Sequence, residues 1–237
     1  MYLSEVRNMK GDEINRLCKT MIAFNQTYIP MTDTIDVIND DHTMICSVER
    51  VVFGTPLFDV VNDRCIDVKS VKLNSKDDYK ISVNKDIVSF TTDTSIYSYQ
   101  TVQNDFKPIK DYGFNPTLII DDVLAKDLLK AVKDGKKNND WVRVMYDNKT
   151  QKLYISNEYD DNTFITNVRA SFGDNSIPTL ENDFSSVFAT EYLIKVLSCV
   201  PTKTKLTIVL DNDYPIKIAW NTDEFRYCVL IAPRVEN

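Results

Sequence analysis

The 237-residue sequence is poor in glycine and proline, with five and eight of them. Disordered and low-complexity chains are usually rich in both, so a largely unstructured protein is excluded. The composition, 43% hydrophobic and 27% charged, is typical of a globular protein with a substantial core. The length is sufficient for one large domain or two of ordinary size.

Long apolar runs are also lacking. No stretch approaches the roughly 20 apolar residues that a membrane-spanning helix needs. The opening segment MYLSEVRNMKGDE has no apolar region of the kind found in secretory signals. The sequence therefore predicts a protein that neither enters a membrane nor is secreted.

Histidine and clustered cysteine are scarce. The only histidine, His42, lies beside acidic residues in a predicted loop, and a catalytic role for it is disfavoured. The cysteines are odd in number, widely spaced and free of CxxC pairs, at Cys18, Cys46, Cys65, Cys199 and Cys228. This pattern indicates a reducing compartment, with neither a disulfide framework nor a zinc site, and no motif calls for a cofactor or metal.

Motifs for enzyme chemistry are few. The sequence has no glycine-rich phosphate loop and no histidine-based nucleophile arrangement. The candidates for acid–base work are two carboxylate pairs, Asp160 with Asp161 and Asp211 with Asp213. Because both pairs lie in predicted turns, where solvated acids are common, a small acidic hydrolase is only a distant alternative to a binding protein without catalytic activity.

Acidic residues outnumber basic ones, 35 to 28, giving a net charge of −7. Such a protein binds nucleic acid only if its cations are concentrated on one surface. Residues 121–137 predict an amphipathic helix with Leu124, Leu128 and Val132 on one face. Four lysines (Lys126, Lys130, Lys133 and Lys137) recur on nearly the opposite face, and Asp121 or Asp122 is the predicted cap. Taken alone, such a lysine stripe is more often a solvated surface than a binding site.

Two further helices are predicted. The first covers residues 10–24, with Asp12 as its cap; its apolar face is Ile14, Leu17, Cys18, Met21 and Ile22. The other covers residues 190–199, with Thr190 as its cap. Each also carries basic residues on its polar side.

The remaining pattern predicts short strands on either side of a linker. In the first half they cover residues 35–38, 43–53, 79–83, 87–90 and 95–101. In the second half they cover residues 141–146, 152–156, 164–172, 205–210, 216–220 and 227–231. Each half ends with a short amphipathic segment followed by three strands, at residues 65–100 and 190–232, which indicates a duplicated fold.

The end of the chain carries a family resemblance. The run DNDYPIKIAW, a further strand and the tail LIAPRVEN resemble the C-terminus of sliding clamps of the proliferating cell nuclear antigen type. TEYLIKVLSCVPTKTKLTIVL and TLIIDDVLAKDLLKAVKDGKKNNDWVRVMY are similar to the matching segments of that family. The resemblance covers residues 117–237, whereas earlier residues match only in the order of elements. In this departure, and in a second helix of the first half that looks shortened, the chain resembles the divergent clamps of phages and other viruses as much as archaeal ones.

The resemblance implies an α+β fold of two similar clamp domains, at residues 1–104 and 117–237, joined by a linker at residues 105–116. It implies a homotrimeric ring around duplex DNA, with helices lining the hole and sheets outside. The implied function is that of a DNA polymerase processivity factor, which binds DNA without sequence preference and tethers the polymerase, the clamp loader and other replication proteins. The implied location is the cytoplasm of a prokaryote or an infected host, or the nucleus if the source is eukaryotic.

The resemblance also implies two surfaces. The implied DNA-facing residues are Arg7, Lys10, Arg16, Lys19, Lys126, Lys130, Lys133, Lys137 and Lys195. The implied partner-peptide pocket consists of Ile109, Tyr112, Phe114, Pro215, Leu230, Ala232 and Pro233; Leu230 stands where the family commonly has a tyrosine. Ring closure requires edge strands, expected near residues 168–172 and 77–83. A clamp-fold factor that acts as a monomer or as one subunit of a mixed ring is the alternative.

Overall fold

The computed structural model describes residues 7–30, 34–50, 64–84, 86–103, 118–157, 160–165, 168–172 and 184–234. The chain divides into two units. One comprises Met1–Asp40, Cys46–Lys110 and Asn221–Tyr227, and the other Asp41–Ile45, Asp111–Trp220 and Cys228–Asn237. The domain boundaries expected at residues 104 and 117 stay a prediction, and the predicted linker, residues 105–116, lies outside the described residues.

The three predicted helices and the predicted strands occur in the predicted order, but five strands were not predicted: Arg7–Lys10, Tyr28–Pro30, Arg64–Asp67, Val102–Gln103 and Phe184–Ala189. The first elements are β1 (Arg7–Lys10), α1 (Gly11–Ala23), β2 (Tyr28–Pro30), β3 (Thr34–Ile38), β4 (Met44–Arg50), β5 (Arg64–Asp67), β6 (Asp78–Asn84), β7 (Ile87–Thr91), β8 (Ile96–Gln100) and β9 (Val102–Gln103). They are followed by β10 (Leu118–Leu124), α2 (Ala125–Lys136), β11 (Trp141–Asp147), β12 (Lys152–Asn157), β13 (Asp160–Ile165), β14 (Arg169–Phe172), β15 (Phe184–Ala189), α3 (Thr190–Leu197), β16 (Lys205–Leu210), β17 (Ile216–Asn221) and β18 (Phe225–Ile231).

The first unit contains an antiparallel sheet in the order β1-β6-β7-β8 and a small sheet in the order β2-β5-β9. Tyr79 of β6 and Phe90 of β7 are buried and meet edge to face, with ring centroids 6.5 Å apart. Strand β6 lies between β1 and β7, so the expectation that residues 77–83 form a sheet edge is wrong. Among the described strands, the two edges of this sheet are β1 and β8.

The second unit contains an antiparallel sheet in the order β13-β12-β11-β15, and strands β14-β10-β16-β17-β18 lie side by side in another sheet. Strand β11 alternates as a half-buried strand should, with Val142, Val144 and Tyr146 fully buried. The single strand predicted over residues 164–172 is instead two strands: β13 pairs with β12 and β14 pairs with β10. The expectation that residues 168–172 lie at an edge is confirmed among the described strands, since β14 ends its sheet there.

The three helices in the described part bury most of the apolar residues that the sequence predicts for them. Ile14, Leu17, Cys18 and Met21 of α1 are buried, as are Leu128 and Val132 of α2 and Leu193, Val196 and Leu197 of α3. Two predicted residues are exceptions: Ile22 is 46% exposed, and Leu124 is half-buried and belongs to β10 rather than to α2. Helices α2 and α3 pack against each other in the second unit. No helix among the described residues is both long and apolar enough to cross a membrane.

The predicted helix caps are wrong for a shared reason. Each helix begins directly after an extended strand residue (Lys10, Leu124 or Ala189), and no side chain caps it. The first helical amide donates instead to a distant backbone carbonyl: Gly11 to Asp77 at 2.9 Å, Ala125 to Thr204 at 3.0 Å and Thr190 to Asp140 at 2.9 Å. Because these carbonyls satisfy an amide that has no partner within the helix, a side-chain cap is not required there.

The acids expected to begin the second helix therefore belong to strand β10. The pairing of β10 with β16 shifts register between Ile120 and Val123, and Asp122 has a left-handed φ of 64°. The Asp121 carboxylate accepts a hydrogen bond from Thr207 Oγ1 at 2.6 Å. Asp12, the predicted cap of α1, lies in its first turn and pairs with Arg16.

Glu13 is an unusual buried acid on α1. It is 7% exposed, and its Oε2 has no hydrogen-bond partner among the described residues. Burial raises the pKa of this carboxyl, and a hydrogen bond with Thr222 opposes the shift. A raised folded-state pKa means that the unfolded chain releases this proton more readily, so the charged Glu13 destabilises the fold as pH rises above about 4.3.

We expect Glu13→Gln to raise the free energy of unfolding at pH 7, because the amide removes the buried charge. The gain should shrink as pH falls through the ordinary pKa of glutamate and vanish by about pH 3, where Glu13 is protonated in both states. Thermal unfolding of both proteins between pH 3 and pH 8 measures this. A pH-independent difference would contradict the assignment.

Candidate nucleic-acid interface and partner-binding surface

Helix α2 presents a row of lysines on the side opposite its buried residues. Lys126, Lys130 and Lys133 are exposed and follow one another at spacings of four and three residues, which places them on one face. Within the described residues, none of these three takes part in an ion pair. Since Leu128 and Val132 anchor the other side of α2, the row has a fixed direction.

Two other predicted cations of this unit are held by acids on their own helices. Lys137 Nζ lies 2.6 Å from Asp134 Oδ1, and Lys195 Nζ lies 2.7 Å from Glu191 Oε1. Lys195 also lies 5.7 Å from the centre of the Tyr192 ring. The hydrogen bond from Lys137 lowers the pKa of Asp134, and the hydrogen bond from Lys195 lowers the pKa of Glu191.

Two of the four predicted cations of the first unit, Lys10 and Arg16, are also paired with acids. Arg16 donates to Asp12 Oδ2 through Nε at 2.9 Å and through Nη2 at 2.6 Å. Lys10 Nζ lies 3.8 Å from Asp223 Oδ2, both side chains being well exposed. Lys19 is exposed on α1. Arg7 belongs to β1 and not to a helix, and its backbone pairs with that of Ile81 in β6.

Asp122 connects the edge strand β14 to its neighbours. Its carboxylate accepts hydrogen bonds from Arg169 Nε of β14 at 2.5 Å and from Lys205 Nζ of β16 at 2.9 Å. Lys205 and then Arg169 lower the pKa of this carboxyl. The cluster therefore holds β14 against β10 while the outer side of β14 keeps its backbone groups unpaired within the described residues.

The edge strand β8 of the first unit is notably apolar. Ile96 is 71% exposed and Tyr97 is 37% exposed, and Val102 just beyond it is 40% exposed. Tyr97 and Tyr99 meet buried Tyr79 and Phe90 edge to face. A sheet edge with uncovered apolar side chains is the kind of surface that pairs with another chain.

Three consecutive residues of β15 hold two parts of the predicted peptide pocket. Ser186 Oγ donates to the carbonyl of Asp211 at 2.8 Å and accepts from the Tyr214 amide at 3.1 Å. Ser185 accepts from the Asp213 amide at 3.2 Å. The Arg234 amide donates to the Val187 carbonyl at 2.7 Å. The turn before Pro215 and the tail after β18 are thus fixed along the same short stretch of strand.

The tail has two further anchors in this unit. The Ala232 amide donates to the Thr43 carbonyl at 2.9 Å, and Arg234 Nη1 donates to Asp140 Oδ1 at 2.8 Å. Leu230 and Pro233 are half-exposed and Ala232 is exposed, so their side chains are available for contact. Ile109, Tyr112 and Phe114, the other predicted walls, lie outside the described residues.

Two features of this surface were missed by sequence reasoning. Tyr214, adjacent to Pro215, is 44% exposed; an aromatic residue between a predicted turn and a proline was the available signal. The turn at Asp41–Thr43 was assigned no role, yet it meets the tail at Thr43 and is held by a hydrogen bond from Tyr192 to Asp41 at 2.6 Å. No pattern in the sequence links residues 43 and 232. His42 lies in this turn with a φ of 60°, as a loop histidine.

These elements define the α+β fold of sliding clamps, and comparison with solved structures bears this out. The chain is similar to the proliferating cell nuclear antigen (PCNA) of Thermococcus kodakaraensis, with a TM-score of 0.76 and 16% identity over 95% of this chain and 98% of that one. It is similar to A. fulgidus PCNA bound to the C-terminal region of FEN-1, with a TM-score of 0.73 and 15% identity over 100% of both chains. It is also similar to the PCNA2–PCNA3 complex of Sulfolobus tokodaii, with a TM-score of 0.72 and 13% identity over 98% of this chain and 100% of that one.

No family model matches the sequence, and no curated protein matches it. The likeness in structure extends over the first half, where the sequence resembles clamps only in the order of its elements. The clamp fold predicted from the C-terminal motifs is therefore confirmed for the chain as a whole.

Proposed function

We propose that this protein is a DNA polymerase processivity factor, a sliding clamp without catalytic activity that encircles duplex DNA. The observation that carries the proposal is the exposed row of Lys126, Lys130 and Lys133 on α2, within a clamp fold. On an acidic chain, such a row concentrates positive charge where a phosphate backbone can use it.

The chemistry of lysine suits contact with moving DNA. Its ammonium group is a strongly hydrated point charge on a flexible stem, unlike the planar fork of arginine. Contacts of this kind neutralise phosphates without reading base edges, so binding is independent of sequence. We propose that other cations contribute more weakly to DNA binding, namely Lys137, Lys195 and, in the first unit, Arg7, Lys10, Arg16 and Lys19.

We propose that three copies close into a ring by pairing the edge strand β14 of one copy with the edge strand β8 of the next. Both edges lack a strand partner among the described residues, and β8 carries the exposed Ile96. A head-to-tail contact between two different edges closes into a ring when its rotation fits. A mixed ring of different subunits is the alternative, favoured by the likeness to the PCNA2–PCNA3 complex.

We propose that replication proteins, among them the polymerase and the clamp loader, dock on the surface formed by Pro215, Leu230, Ala232 and Pro233. The A. fulgidus structure contains a clamp with the C-terminal region of a partner, which is the mode proposed here. Tyr214 adds an exposed aromatic wall beside Pro215. The domain boundaries at residues 104 and 117 and a cytoplasmic or nuclear location belong to the same proposal.

The hydrolase alternative has little support in the described residues. Asp211 Oδ1 accepts a hydrogen bond from the Asn212 amide at 2.8 Å, as an acid in a turn commonly does. Asp213 lies in the same turn with a left-handed φ of 51°. The side chains of Asp160 and Asp161 lie outside the described part.

Reversing the charge of the lysine row tests the DNA interface. We expect the triple variant Lys126→Glu, Lys130→Glu, Lys133→Glu to abolish stimulation of the polymerase, because each change replaces a phosphate contact with repulsion. Processive synthesis on a primed template and circular dichroism measure function and fold. The matched control reverses Lys76, Lys80 and Lys149, three exposed lysines outside the helices. Normal processivity of the α2 variant would show that the row is only a solvated face.

Light scattering coupled to size exclusion tests the ring. We expect a species of three times the 27.3 kDa chain mass, and Ile96→Asp should convert it to monomer by placing a charge in the apolar edge contact. Ile87→Asp is the control, since Ile87 is 44% exposed on β7, which has a strand on both sides. A single wild-type species at the monomer mass would rule out the homotrimer.

Truncation of the tail surface tests partner docking. We expect Leu230→Ala and Pro233→Ala each to weaken binding of a tail peptide from the cognate polymerase by about 1–2 kcal/mol, since each removes apolar contact area. Fluorescence anisotropy of the labelled peptide provides the measurement, and retention on circular DNA should be unchanged. Ile22→Ala, another exposed apolar position, serves as the control. Equal peptide affinity in all four proteins would remove the assignment.

A further inference from the structure

The lysine-bearing surface of α2 and α3 contains carboxylates placed among its cations. This surface, called here the α2–α3 face, carries Lys126, Lys130, Lys133, Lys136, Lys137 and Lys195 together with Asp134 and Glu191. Asp134 accepts a hydrogen bond from Lys137 at 2.6 Å, and the closest approach of Glu191 to Lys195 is 2.7 Å. Both bonds connect residues three or four positions apart on one helix.

The two carboxylates act on more lysines than those they touch. The positive field of Lys130 contributes to the lowered pKa of Asp134, behind the hydrogen bond from Lys137. Lys136 likewise contributes to the lowered pKa of Glu191, behind Lys195. Four of the lysines on the α2–α3 face therefore lie in the field of an acid, which reduces the attraction that the face exerts on an external anion.

The ion pairs are accessible enough to be exchanged. The Lys137 side chain is 73% exposed and that of Asp134 is 40% exposed. The values for Lys195 and Glu191 are 37% and 63%. Exposed pairs of this kind contribute little to stability, so a lysine can leave its carboxylate for a phosphate by a side-chain rotation alone.

We propose that Asp134 and Glu191 are internal counterions that limit how tightly the α2–α3 face binds DNA phosphates. The inference rests on the proposed function. Lys137 and Lys195 must each give up or share a carboxylate to bind a phosphate, and the remaining negative charge repels the DNA. The face therefore binds DNA weakly and exchangeably, which suits a protein that must move along the duplex.

The test measures the affinity of the full-length protein for a 30-base-pair duplex by fluorescence anisotropy between 25 and 200 mM salt. We expect Asp134→Asn and Glu191→Gln each to tighten binding by about three- to tenfold and to steepen the dependence of log K on log salt by about 1. The matched control is Asp36→Asn, which removes the same charge from a half-exposed position on β3. Circular dichroism confirms that each variant is folded.

The triple variant Lys126→Glu, Lys130→Glu, Lys133→Glu separates this inference from the proposed function. If the triple variant loses wild-type DNA binding while Asp134→Asn and Glu191→Gln bind as wild type does, the counterion role is overturned and the DNA interface stands. Equal tightening by Asp36→Asn also overturns it, because net charge alone would then explain the effect. If the triple variant binds DNA as wild type does, the proposed interface falls and the inference with it.

Discussion

The direct passage from strand to helix is the constraint on which the functional surfaces depend. In α1, α2 and α3 the residue before the helix is extended, and the first helical amide donates to a backbone carbonyl that is distant in sequence. This bond ties the start of each helix to a neighbouring loop and, together with the buried apolar face, sets its direction and rotation. Because these two restraints fix the rotation of α2, its lysines face outward.

Positive charge is unevenly distributed over the surface of this protein. The chain as a whole is acidic, yet α2 carries a row of lysines free of ion pairs with the described residues, while the cations Lys10, Arg16, Lys137 and Lys195 are matched by nearby acids. A surface of that kind attracts a polyanion without holding it rigidly, because exposed ion pairs exchange readily. This uneven distribution makes a negative net charge compatible with the proposed role on DNA.

Local pattern was sufficient to predict most elements but failed where distant residues compete. The apolar faces of the helices and the alternation in β11 lie in single segments, so they could be predicted from spacing. Asp121 and Asp122 are of a residue type that commonly caps helices, yet they lie at the register shift of β10. There Asp121 accepts a hydrogen bond from Thr207, and Asp122 accepts hydrogen bonds from Lys205 and Arg169. Residues 164–172 alternate like one strand, but their two halves pair with β12 and β10 in different sheets.

By itself, the sequence determined the three helices, most of the strands, the lysine row and the tail motif, because each depends on residues close to one another in the chain. The tertiary structure alone decided which of the described strands are edges, and that β15 holds both the Pro215 turn and the Arg234 tail. Those features join residues tens of positions apart, through backbone hydrogen bonds and, at the turn, through the Ser186 hydroxyl. A periodic pattern carries no record of such bonds, so they become visible only when the chain is folded.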